Sequence, residues 1–182
     1  PLTSLYLFPR GEDFSDVAVY ERYDDLSGVN TQYWPYGDLG GVSSQNPYWI
    51  MNRMNRENDR RRYKLAASLQ YNIIEGLNVQ GRVSIDNTES KYTEKFHAGT
   101  VGNFAGPKGR YKEENRLDRQ VYADVLANFN KTFNEFNVTA NLGASIKDLR
   151  MELTSLHGDL NNVTNHFTIE NLTRSGYYKV DA

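Results

Sequence analysis

The 182-residue chain sets 21 Lys and Arg against 23 Asp and Glu, a formal net charge of −2. That balance excludes the broad cationic footprint of a nucleic-acid-binding domain. Cysteine is absent, which excludes a disulfide framework, a thiolate nucleophile and any cysteine-ligated zinc or iron–sulfur centre. Mean hydropathy is −0.70 with 38% hydrophobic residues, low for a compact soluble enzyme, yet a 13% aromatic fraction argues against disorder. No apolar run approaches the roughly 18 residues of a transmembrane helix. A polar, aromatic-rich and Asn-rich chain needs a fold that wets much of its side-chain surface, as a transmembrane β-barrel does.

The chain opens at Pro1, without Met and without a charged n-region followed by an apolar h-region. It is read as processed or as a piece of something longer. Its first 60 residues hold no sustained period. They are dense in Gly, Pro, Asn, Asp and aromatics, as in Trp34-Pro35-Tyr36-Gly37 and Asn46-Pro47-Tyr48-Trp49, and residues 1–61 read as a long ordered loop region. Within it the charged run from Asn52 to Arg62 reads as a short helical turn.

From Arg62 the pattern changes to period two. Tyr63, Leu65, Ala67, Leu69, Tyr71 and Ile73 alternate with mostly polar neighbours. After a turn at Ile74-Glu75-Gly76, Leu77, Val79, Gly81, Val83 and Ile85 continue the alternation. A polar, glycine-punctuated stretch over 89–116 predicts a long connection. Val121, Ala123, Val125, Ala127 and Phe129 then alternate, Lys131 to Glu135 turn, and Phe136, Val138, Ala140, Leu142, Ala144 and Ile146 follow. Residues 62–147 are thus two long hairpins, each arm about as long as the 9–11 residues of a tilted membrane-spanning strand. Tight turns at one end and long loops at the other match the asymmetry of outer-membrane barrels. Tyr63, Tyr71, Phe129, Phe133 and Phe136 lie near strand ends, where interfacial girdles form. Ordinary packing is the alternative for these rings. After Ile146 the apolar parity flips to Leu149, Met151 and Leu153, which predicts a bulge or a strand leaving the bilayer. Residues 148–182 read as that extension and a further loop, with weak strand character around Val163 to Ile169.

The fold expected is all-β: an antiparallel transmembrane β-barrel segment with long extracellular loops. Four strands cannot close a barrel, which needs about eight, and open edges are intolerable in lipid. Further strands from the same parent or an associated chain are therefore expected, and the chain reads as a fragment.

Little points to chemistry. His97, His157 and His166 are widely spaced, without a companion pattern for a metal. Gly102 to Gly109 lacks P-loop spacing, and no Gly-x-Ser-x-Gly elbow occurs. Acidic neighbours such as Asp24-Asp25 and Glu113-Glu114 read as solvated charge. Sequons at Asn130, Asn137, Asn162 and Asn171 are discounted as matches favoured by composition. The reading is of a protein that is not an enzyme and takes no cofactor or metal.

Several blocks resemble one family. Leu5-Tyr6-Leu7-Phe8-Pro9-Arg10-Gly11, Trp34-Pro35-Tyr36, Asn46-Pro47-Tyr48-Trp49, Leu77 to Val83, Ala98-Gly99-Thr100, Gly109-Arg110-Tyr111 and Ala140 to Gly143 are similar, in consistent order, to SusC/RagA-type TonB-dependent outer-membrane transporters of Bacteroidetes. The resemblance implies a middle segment of a barrel of about 22 strands that encloses a plug domain and is capped by a SusD-like surface lipoprotein. It further implies import of oligosaccharides or peptides, driven through TonB by parts this chain lacks. The implied setting is the bacterial outer membrane, with the loops extracellular.

Trp34, Tyr36, Tyr48 and Trp49 from the first loop, with Arg110 and Tyr111 from the second, are the candidate ligand- or partner-binding residues. They would stack on sugar rings, contact the lipoprotein cap, or order their own loops. Arg82, Asp86, Asp124 and Lys147 are expected in the lumen, in a polar network against the plug. A soluble β-sheet carbohydrate-binding module of a secreted protein is the alternative, with the exposed Trp and Tyr as its platform. A complete small outer-membrane barrel serving as an adhesin is the third reading.

Overall fold

A computed structural model describes residues 2–6, 8–36, 45–173 and 177–181. The chain is all-β in its main body, with two short α-helices among the described residues. Helix α1 spans Leu2–Tyr6, strands β1 and β2 span Glu21–Asp24 and Val29–Gln32, and α2 spans Pro47–Arg53. Strands β3 (Met54–Ile74), β4 (Leu77–His97), β5 (Gly109–Phe133), β6 (Phe136–Asp159) and β7 (Tyr177–Asp181) form one sheet in that order. The sheet is open, and no closed barrel is seen among the described residues. No helix among them is long and apolar enough to cross a membrane, which says nothing of a β-barrel.

Several sequence expectations change. The first 60 residues are not one loop. Asp24 accepts hydrogen bonds from the backbone of Leu26 and Ser27, an Asx-type turn that closes the β1–β2 hairpin with Asp24 opposite Val29. Asn46 caps α2 through Tyr48 N, with Pro47 in the first turn, both favourable there. The charged run at 54–62 is strand and not a helical turn, because its exposed side chains pair across the sheet, as Arg56 does with Glu94 at 3.1 Å. The expected connection at 89–116 shrinks to residues 98–108, since β4 runs to His97 and β5 starts at Gly109. Polar, alternating segments extend the strands to between 21 and 25 residues, about twice a membrane crossing. Around Val163 to Ile169 there is no strand. A 3₁₀ turn at Ile169–Asn171 and the Leu160–Leu172 bridge hold that segment instead. Buried Asn171 spends its side-chain amide on the backbone of Asn162, Val163 and His166.

The turns form where expected. Gly76 takes a φ of +84°, and a Cβ there would overlap the Asn130 carbonyl oxygen, which accepts no substitute for glycine's missing side chain. Asn134, with a φ of 53°, turns β5 into β6.

Backbone contacts divide the chain into two compact units. Unit 1 comprises residues 1–59, 91–115 and 154–178, and unit 2 residues 60–90, 116–153 and 179–182. Every buried hydrophobic side chain among the described residues belongs to unit 1: Val17, Trp49, Met54, Phe96, Ala98, Ala105, Tyr111 and Leu160. Trp49, Met54, Phe96 and Ala105 pack together, with Tyr20, Ile50 and Phe104 against them.

Unit 2 holds the alternating strand segments. Arg62 pairs with Asp86 at 2.6 Å and Arg82 with Asp124 at 2.9 Å, and Asn128 donates to Asn78 at 2.9 Å. These even-numbered residues of β3, β4 and β5 therefore share one face. A groove of about 460 Å³ on this face is lined by Arg62, Asp86, Asp118 and Gln120 together with Leu149 and Met151. The parity flip after Ile146 is thus carried by the side chains: β6 is continuous from Phe136 to Asp159, and its apolar residues change faces. The opposite face bears the apolar series and is bare. Leu65 is 65% exposed, Leu69 76%, Leu142 78% and Ile146 70%. Of the end-of-strand rings, Tyr63, Tyr71, Phe133 and Phe136 are exposed, and Phe129 is half-buried.

Candidate functional site

Unit 1 contains all six sequence-predicted site residues and distributes them over three settings. Trp34, Tyr36 and Tyr48 join one aromatic cluster through two rings that the sequence reading missed, Phe8 and Phe14. Phe8 lies 5.3 Å from Phe14, 5.0 Å from Tyr36 and 6.5 Å from Trp34. Trp34 lies 5.1 Å from Tyr36, and Phe14 6.4 Å from Tyr48. Most of these pairs meet edge-on or tilted, the favoured geometry of ring quadrupoles. Phe14 is 41% exposed and Tyr48 36%, so part of the cluster faces solvent.

Asn46 positions this cluster. It is 1% exposed, and its Nδ2 donates to Val17 O at 2.8 Å and Tyr33 O at 3.0 Å while its Oδ1 accepts from Tyr48 N. One amide thereby ties the segment carrying Phe14, the strand leading to Trp34, and the helix carrying Tyr48. Burial, then the charges of Glu12 and Asp16, hold the Tyr36 phenol above its ordinary pKa.

Trp49 is placed elsewhere. Its indole is fully buried, and Nε1 donates to Thr100 Oγ1 at 3.0 Å. It anchors the core of unit 1 and presents no stacking surface. The motif Asn46-Pro47-Tyr48-Trp49 is one turn of helix, which sends Tyr48 and Trp49 in different directions.

Arg110 and Tyr111 sit on β5. Tyr111 is 6% exposed. Its hydroxyl donates to Glu113 Oε2 at 2.8 Å, and burial followed by that carboxylate pushes its pKa up to about 12. Its ring lies 6.4 Å from Phe167, which in turn lies 5.0 Å from His97. Arg110 Nε is buried without a hydrogen-bond partner among the described residues.

His97 opens onto a pocket of about 290 Å³ lined by Tyr23, Asn30, Trp49, Arg53, His97 and Asn165, among others. His97 Nδ1 lies 2.9 Å from Arg53 O. A carbonyl only accepts, so Nδ1 carries the proton and Nε2 of the neutral ring is the acceptor. Burial is the main cause of a lowered His97 pKa. Arg53 reaches Glu21 side-on through Nε and Nη2, and Asn30 Nδ2 donates to Glu21 Oε1 at 3.2 Å. Asn165, in the left-handed region at a φ of 58°, accepts from Ala98 N at 2.7 Å. The charges of the pocket are thus internally balanced, and amide and imidazole groups form its polar lining. Sequence reading discounted His97 because no second ligand stands at metal spacing. Its pocket partners come from residues 23–53 and 165, and no local motif links them. Among the described residues no group of three or more His, Asp or Glu is arranged to hold a metal ion.

No protein-family model matches this chain, and no curated protein matches it.

Proposed function

We propose that this chain is a strand-and-loop segment of a SusC/RagA-type TonB-dependent outer-membrane transporter, which imports oligosaccharides or peptides together with a SusD-like lipoprotein and is not an enzyme. One observation carries the reading. The alternating strands of unit 2 keep an apolar face bare, with Leu65, Leu69, Leu142 and Ile146 each at least 65% exposed, and bury no hydrophobic side chain among the described residues. A water-facing sheet would cover such a face with a second layer. Acyl chains cover it in a membrane, where the charged pairs Arg62–Asp86 and Arg82–Asp124 on the other face line a polar lumen.

In this reading the loops of unit 1 are extracellular, and their exposed rings Tyr48 and Phe14 with Trp34 and Tyr36 meet sugar or the lipoprotein. The balanced pocket around His97, Asn30 and Asn165 suits uncharged hydroxyl- or amide-bearing ligands better than ions. The remaining strands and the plug come from the parent barrel, and TonB acts on that plug.

Partition between water and detergent tests this. The chain is expected in the detergent phase, and the parent polypeptide, identified by peptides of this sequence, in outer membranes together with a lipoprotein. A detergent-free, monodisperse monomer of 20.9 kDa overturns the membrane reading. That outcome favours the second reading, a soluble carbohydrate-binding module, for which the half-exposed five-ring cluster supplies the platform.

A further inference from the structure

His97 ends β4, and the pocket of about 290 Å³ onto which it opens is built wholly from unit 1. Ligand pockets begin at about 300 Å³, so this one has room for a single functional group with a short apolar flank. The β1–β2 hairpin supplies Tyr23, Val29 and Asn30, α2 supplies Arg53, and Asn165 comes from the segment after β6. Much of the polar lining is already spent. Arg53 is engaged side-on by Glu21, which leaves no net charge to meet an ion. His97 uses Nδ1 on Arg53 O, and Nε2, an acceptor in the neutral ring, has no partner among the described residues. Asn165 uses Oδ1 on Ala98 N, and its Nδ2 donor likewise has none. The pocket thus offers one fixed acceptor and one fixed donor, with Val29 and Ala98 as small apolar neighbours.

We infer that the His97 pocket captures a neutral amide group, whose N–H donates to His97 Nε2 and whose C=O accepts from Asn165 Nδ2, and that protonation of His97 releases it. The inference deepens the reading above and rests on its placing the loops of unit 1 where ligand arrives. A secondary amide presents one donor and one acceptor in fixed roles and carries no charge, the complement of this lining. A hydroxyl turns to fit either role, and a carboxylate or ammonium would be desolvated without a counter-charge. Two sources carry the group, the acetamido substituent of a sugar and the backbone of a peptide. Release follows from the imidazole. Protonated, it donates from both nitrogens and opposes the ligand's N–H. The charged groups acting on His97 are Arg53 of α2 and Glu21 of β1, which neutralise each other. Tyr23 is the other titratable side chain of the lining, and Phe167, packed 5.0 Å from the imidazole, carries none. Burial lowers the His97 pKa from 6.5, so the ring is neutral and competent at neutral pH.

Imidazole NMR of the 182-residue chain in detergent tests this. The chain has three histidines, and His97→Gln identifies the signal of His97. The probes are N-acetylglucosamine for the sugar source, N-acetylalanine methylamide for the peptide source, and glucose as the control without an amide. At pH 7.5 at least one amide probe is expected to shift the His97 signal with saturation, and glucose is not. The probe that saturates names the source. A ligand that binds only the neutral ring lowers its titration midpoint, by about one unit at ten times Kd. Asn165→Asp keeps Oδ1 for Ala98 N and tolerates the φ of 58°, but it removes the donor and is expected to weaken binding at least tenfold. Silence of His97 toward both amides overturns the proposal, as does glucose binding equal to theirs. So does a His97 midpoint that stays or rises under saturating probe, a reading made on the unmodified chain that needs no variant to fold. None of these results bears on the membrane reading, which the detergent partition decides separately.

Discussion

Arg53 and Glu21 meet side-on, Nε to Oε2 at 2.8 Å and Nη2 to Oε1 at 2.9 Å, and this pair fastens the last residue of α2 to the first residue of β1. Both side chains are partly buried, at 32% and 23% exposure, and the forked geometry is the strong one for arginine and carboxylate. The Arg53 hydrogen bond, working against desolvation, holds Glu21 below its ordinary 4.5. A depressed carboxylate stabilises the fold above its unfolded pKa and loses that contribution as pH falls through the folded one. Glu21→Gln is expected to cost about 1–2 kcal/mol at neutral pH and to flatten the stability loss that begins near 4.5. Denaturant midpoints from pH 7 to 3 check this, and an unchanged slope counts against the pairing.

His97 titrates in a separate window. Burial lowers its pKa from the ordinary 6.5, so the unfolded chain takes up a proton before the folded chain does. Stability from this group is full above 6.5 and declines as pH falls below it. His97→Gln is expected to remove the pH dependence between 6.5 and the onset of carboxylate titration while leaving the loss below 4.5 intact. Paired unfolding curves at pH 7.5 and 5.5 separate the two. A variant with the same dependence as the unmodified chain rules out His97 as its source.

Gly99 holds the β1–β2 hairpin against the connection that follows β4. Its carbonyl accepts from Gln32 N at 3.2 Å, its φ is +86°, and an added Cβ would overlap Asn30 O and lie 2.6 Å from Thr31 Cα. Both obstacles are backbone and cannot swing away. Gly99→Ala is expected to cost at least about 2 kcal/mol, from left-handed strain plus the overlap. Amide exchange reads it locally: the Gln32 N–H loses protection first. Full protection at Gln32 in a folded variant refutes the close approach.

Leu142 decides the medium of the apolar face. It is 78% exposed in the middle of an alternating strand. If acyl chains cover it, Leu142→Arg costs about 2–4 kcal/mol near the bilayer midplane; if water does, the change stays within roughly 0.5 kcal/mol. Unfolding from lipid vesicles measures the difference. A neutral Leu142→Arg in vesicles removes the main support for the membrane reading.

Strand existence, polarity of the two faces and the positions of both tight turns were legible because they are local. Period-two alternation, Gly76 and Asn134 act within a few residues of themselves. Strand ends were not legible: 89–97 and 109–116 are polar, so no hydrophobic period marks them, yet pairing across the sheet keeps them extended, as Lys91 with Glu113 and Arg56 with Glu94 illustrate. The candidate site divides the same way. Aromatic loop motifs marked Trp34, Tyr36 and Tyr48 one by one as candidates, while Phe8 and Phe14, the rings that join them, were not among the candidates, because nothing local marks a ring that meets its partners only in the fold.

By itself, then, the order of residues determined an antiparallel all-β chain with one apolar and one polar face, because side-chain alternation along a strand is imposed by backbone geometry alone. Tertiary structure decided what each aromatic does. Tyr48 and Trp49 are adjacent in sequence, yet one reaches a half-exposed cluster and the other a closed core. The difference lies in what packs against each side of a single helical turn: Phe14 on one, Phe96 and Thr100 on the other, all supplied by segments far away along the chain.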